Sequence, residues 1–114
     1  MRSVEIPRRD WTKRLSEFNK KYEGWLVTLD IASQPGGVQH EFRQLPLVGF
    51  TAEKTNGRTI SVAVEEATGE HLTHRIYSPQ HVFVQETDAG VHAAVEIVGG
   101  DGTKSIVRLR TVAA

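Results

Sequence analysis

Apolar and polar positions change their spacing at Gly24. Before it, Trp11, Leu15, Phe18 and Tyr22 recur at steps of four, three and four, so all four fall on one stripe of a helix. After it, Trp25, Val27, Leu29 and Ile31 recur at steps of two, the period of a strand with one buried face. The first pattern predicts an amphipathic helix over about 7–23. Pro7 suits its first turn, Asp10 and the pair Lys20 and Lys21 complement its dipole, and Gly24 is placed to end it with a positive φ.

The second pattern predicts a series of strands. The strand over 25–31 runs into Ser33-Gln34-Pro35-Gly36-Gly37, which no strand tolerates. A short extended piece follows over 38–43, and Leu45-Pro46-Leu47 is expected to interrupt any ladder because Pro46 has no N–H. Val48, Phe50 and Ala52 alternate, as do Ile60, Val62 and Val64, and Asn56-Gly57 between them is a hairpin signal. Leu72, His74 and Ile76 form the inward set of a strand closed by Ser78-Pro79. Residues 81–87 form another, turned by Asp88-Ala89-Gly90 into Val91, Ala93, Val95 and Ile97. Gly99-Gly100-Asp101-Gly102 reverses the chain into 104–110, with Val107 and Leu109 inward and Arg108 and Arg110 outward.

Connections this short exclude parallel crossovers. The expected fold is α+β: one N-terminal amphipathic helix packed on a strongly curved antiparallel meander or small barrel of six to seven strands. It forms a single domain over 1–114, with the sheet over about 25–110. At 114 residues with 39% hydrophobic content, such a domain buries roughly two thirds of its unfolded surface without staples.

Composition narrows the chemistry. With no cysteine, thiolate catalysis, iron–sulfur clusters and cysteine-bound zinc are excluded together. No apolar run approaches 18 residues and the start lacks an apolar signal core, so no membrane partner and a cytoplasmic location are expected. The formal charge is zero but uneven: seven basic and four acidic groups give residues 1–24 a charge of +3, leaving −3 for the rest. Arg8, Arg9, Lys13, Arg14, Lys20 and Lys21 could form a nucleic-acid footprint, with Arg9 and Lys13 its test positions. A solvated helix face attracted to its own acidic sheet explains the asymmetry more simply, which disfavours nucleic acid.

Five histidines are the natural place to seek a site. His71 and His74 stand three apart, and on a strand that odd spacing sends them to opposite faces, against a shared metal ion. His74, between Leu72 and Ile76, is expected in the core. Gly99-Gly100-Asp101-Gly102-Thr103-Lys104-Ser105 is no phosphate loop, because Thr103 precedes the lysine and a strand follows. No serine has the surroundings of a nucleophile.

The motifs Ile6-Pro7-Arg8 with Trp11, Gly24-Trp25-Leu26-Val27, Leu45-Pro46-Leu47-Val48-Gly49, Thr73-His74 with Pro79, and Asp101-Gly102 before Arg108 and Arg110 together resemble a family of small uncharacterised bacterial proteins. That resemblance spans nearly the whole chain and implies no activity and no functional residues. In topology, a helix leading into a bent meander is similar to Sm-like and SH3-like small barrels, which bind RNA or peptides; this is analogy of fold alone. The expected function is a non-enzymatic binding or protein-interaction module, without cofactor or metal, that meets a protein partner or a second copy through a sheet edge. The alternatives are a small-ligand or metal-assisted enzyme using His71 or His74, and nucleic-acid binding through the helix.

Overall fold

The computed structural model describes residues 2–33, 36–53, 59–87 and 92–110, with the backbone alone at 92 and 93. Helix α1 (Trp11–Tyr22) is preceded by a single 3-10 turn, Arg8–Asp10. The helical segment therefore starts where expected but tightens in its first turn, and Pro7 caps it at φ −57° and ψ 144° instead of entering it. Gly24 follows at φ +86° and turns the chain into the sheet, while its amide donates to the Leu47 carbonyl at 2.9 Å.

Eight strands form one sheet: β1 (Arg2–Ile6), β2 (Leu26–Ser33), β3 (Gly37–Ala52), β4 (Thr59–Glu65), β5 (His71–Tyr77), β6 (Pro79–Glu86), β7 (His92–Gly99) and β8 (Lys104–Arg110). Their order is β1-β6-β7-β8-β2-β3-β4-β5, and every pairing is antiparallel. Two meanders, β2 to β5 and β6 to β8, are joined by the β2–β8 ladder.

The count of six to seven strands is corrected to eight. The additional strand is β1, whose short alternation Val4, Ile6 becomes a strand by pairing with β6, with Val4 opposite Val84. The predicted break at Leu45-Pro46-Leu47 is also corrected: β3 runs unbroken for 16 residues. Pro46 pairs with Leu26 at the place where β3 leaves β2 for β4, so its missing N–H costs little. Just before it, Thr28 faces both Arg43 and Gln44, a bulge in which Gln44 has φ +51° and its amide donates to the Thr28 hydroxyl at 3.1 Å. That bulge re-aims the strand. Asn56-Gly57, Asp88-Ala89-Gly90 and Val91 lie outside the described residues; the strands flanking the first pair in hairpin order, with Ala52 opposite Ile60.

The core lies between the helix and one face of the folded sheet. Trp11, Leu15, Phe18 and Tyr22 are all buried and pack chiefly towards β3, with the Phe18 and Phe50 rings edge to face at 5.8 Å. Val27, Leu29, Phe50, Ile60, Val62, Val64, Val95, Ile97 and Val107 complete it. The small barrel is not formed. Edge strand β5 passes through Ser78 alone (φ +52°) into β6, which neighbours the opposite edge, so the sheet folds back over itself. At that corner the Ser78 carbonyl accepts the Gly100 amide at 3.1 Å. Contact there is made with the β7–β8 turn, and no ladder joins β5 to β1 or β6 among the described residues.

Candidate functional site

β5 is a seven-residue edge strand. It pairs with β4 from His71–Glu65 to Tyr77–Thr59 and has no partner on its other side among the described residues. Large apolar side chains normally leave such an edge. Here Tyr77 is 69% exposed and Leu72 37% exposed. Alongside lies an open cleft of about 230 Å³ between β5 and the β7–β8 turn, lined by Ile31, His74, Ile76, Tyr77, Asp101 and Ser105 among others. An unpaired backbone beside a cleft of mixed polarity is the arrangement that receives an extended peptide.

Two ionisable groups that line this cleft, His74 and Asp101, each have a nearby partner. The Nδ1 atom of His74 lies 4.0 Å from Glu41 Oε2 on β3. Asp101 accepts the Thr103 amide at 2.9 Å, and that backbone hydrogen bond, followed by a further bond to Thr103, holds its carboxyl below the ordinary range despite some desolvation. Asp101 thus closes the Gly99–Gly102 turn, where Gly102 has φ +86° and the Gly99 amide reaches the Thr103 carbonyl at 2.8 Å. The segment is a hairpin turn, as its sequence indicates.

The expectation that His74 is a core residue is corrected. It shares a face with buried Ile76 but its side chain retains 24% exposure, because β5 is an edge strand and its inner face is less covered towards Leu72, which is 37% exposed. His71 is exposed and pairs across from Glu65. The strand does not bring the two histidines together. Among the described residues, no group of three or more His, Asp or Glu side chains is placed to hold a metal ion.

Arg9 and Lys13 are exposed near the start of the helical segment. Two neighbours in the same basic set serve the fold. Arg8 lays its guanidinium 4.6 Å from the Trp11 ring centroid and donates to the Pro79 carbonyl at 3.1 Å. Lys21 lies 5.5 Å from the Tyr22 ring centroid. Part of the basic excess therefore anchors the helix to its own molecule.

The strongest polar constellation is on the face of the sheet turned away from the core, and no sequence motif announces it. Asp30, on central strand β2, is only 7% exposed. His40 stands directly opposite on β3, and Arg108 stands diagonally on β8, opposite Thr28. The Nδ1–H of His40 donates to one Asp30 oxygen, the only tautomer a carboxylate can accept, and Arg108 Nε–H donates to the other at 3.2 Å. Burial raises the Asp30 carboxyl, but the His40 and Arg108 bonds and charges outweigh it and hold it below its ordinary value. The alternation of Val27, Leu29 and Ile31 puts Asp30 on the polar face of the strand, so the spacing carried no sign that it would be buried there.

No helix is long and apolar enough to cross a membrane among the described residues. The search for related proteins finds no match among curated proteins or solved structures. Residues 2–114 match the model of the "Family of unknown function (DUF5335)", and the chain belongs to that family.

Proposed function

We propose that the protein is a non-enzymatic interaction module that takes up an extended protein segment along the free edge of β5. The observation that carries this reading is the coincidence of a strand edge without a partner among the described residues, exposed Leu72 and Tyr77 on its two faces, and the cleft beside its Tyr77 end. Main-chain hydrogen bonds to β5 supply affinity, and the cleft accepts a side chain of the incoming segment.

The test is selection of a displayed library of unstructured peptides on the immobilised protein, followed by mapping of amide chemical-shift changes. Selected peptides should perturb β5 and the Gly99–Thr103 turn and lose binding with Leu72→Lys. Peptides that map to another surface, or a library that yields none, would remove this reading.

A further inference from the structure

We infer that the segment received by β5 is β5 of a second copy of this chain, in an antiparallel two-fold pair centred on His74. This rests on the strand-addition reading above and adds the identity of the occupant.

The sequence of β5 is self-complementary in one register. A two-fold axis through residue 74 uses all seven residues of His71–Tyr77. It places Leu72 opposite the second copy's Ile76, Thr73 opposite Arg75, and His71 opposite Tyr77, with His74 facing its own copy. Residues directly opposite each other share a face, so Leu72, 37% exposed, gains an apolar neighbour in the largely buried Ile76 of the second copy. Tyr77, the most exposed large apolar residue described, gains an imidazole to stack on. Arg75 meets an uncharged threonine. The registers one residue to either side serve less well, since each uses fewer residues, and an axis through Arg75 sets two guanidinium groups face to face.

The other edge does not offer this. On β1, Arg2 is bonded to Glu86 at 2.8 Å and Glu5 to His81 at 2.8 Å, so its charges are committed to β6 and guard the strand. On β5, no ion pair holds His71, Arg75 or Tyr77 among the described residues. A net charge of zero also leaves two copies without overall repulsion. Pairing seven residues buries less than the roughly 800 Å² per partner of a standard stable interface. The expected dimer is therefore weak, with a dissociation constant on the order of 10–100 µM.

Sedimentation of the full chain from about 1 µM to about 1 mM, spanning that range, should show a reversible monomer–dimer equilibrium. His74→Glu and His74→Lys should each weaken the homodimer by about tenfold or more. Their equimolar mixture should restore association as a heterodimer, because only a residue on the two-fold axis meets itself. Glu41 lies near the substituted position, so Leu72→Lys provides a second disruption away from it, with circular dichroism confirming that each variant is folded. A chain monomeric at about 1 mM, with selected peptides still mapping to β5, would overturn the second copy while leaving strand addition intact. A dimer indifferent to Leu72→Lys, or one without heterodimer rescue, would overturn the register. A dimer broken by Val4→Lys would move the interface to β1 and overturn the proposal.

Discussion

Asp30 occupies a position where a strand gives a carboxylate almost no water, and its two partners decide whether that is tolerable. A bonded, buried carboxylate contributes to stability only while it is charged. Asp30→Asn keeps the shape and removes the charge, and should cost about 2 kcal/mol at neutral pH, within the range for hydrogen bonds to charged groups. Because the folded pKa lies below the ordinary 3.8, the contribution is fully present above that value and is lost as pH falls through the folded value. Urea unfolding at neutral and strongly acidic pH should show the gap between wild type and variant closing on the acid side; a gap independent of pH would mean the charge does not matter. At His74 the expectation runs the other way. With 24% exposure and its neighbour Leu72 37% exposed, His74→Ala should cost less than about 1 kcal/mol, readable as a small shift in thermal midpoint. The sequence could not reveal this, since alternation with Leu72 and Ile76 states which face a residue shares and not whether anything covers that face.

Among the elements, the helix was the most legible in the sequence and β1 the least. The stripe of Trp11, Leu15, Phe18 and Tyr22 is set by local spacing, and all four are buried. β1 exists because of β6, whose residues 82–86 pair with residues 2–6 about 80 positions away, and no local signal encodes a partner so distant. A bond from Trp11 Nε1 to the Ile6 carbonyl at 2.9 Å ties the helix to β1. Trp11→Phe isolates that bond and should cost about 1–2 kcal/mol, whereas Trp11→Ala also empties the core and should cost about 3–5 kcal/mol. Equilibrium denaturation of the pair separates the two contributions, and equal losses would assign everything to the bond. Gly24→Ala, forced to φ +86° with open space around its Cβ, should cost about 1 kcal/mol through backbone strain alone.

For the molecule as a whole, charge balance bears on the nucleic-acid alternative. Equal numbers of acidic and basic residues leave no net attraction for phosphate, and Arg8 and Lys21 already lie against aromatic rings of the helix. Titration with a labelled duplex at about 150 mM salt should give binding no tighter than about 100 µM. Arg9→Glu with Lys13→Glu should leave that unchanged; a tighter, salt-sensitive affinity abolished by the pair would restore the helix face as a site. The sheet's order adds a consequence for biosynthesis. β1 leaves the ribosome well before its neighbour β6, which ends only at Glu86. At about 5–20 residues per second, residues 2–6 wait roughly 4–17 s for the strand that completes them. Through that interval the nascent chain presents Arg2-Ser3-Val4-Glu5, a segment too polar to attach to neighbouring chains on the same message. The charges that leave β1 hard to recognise as a strand thus protect it while it has no sheet to join.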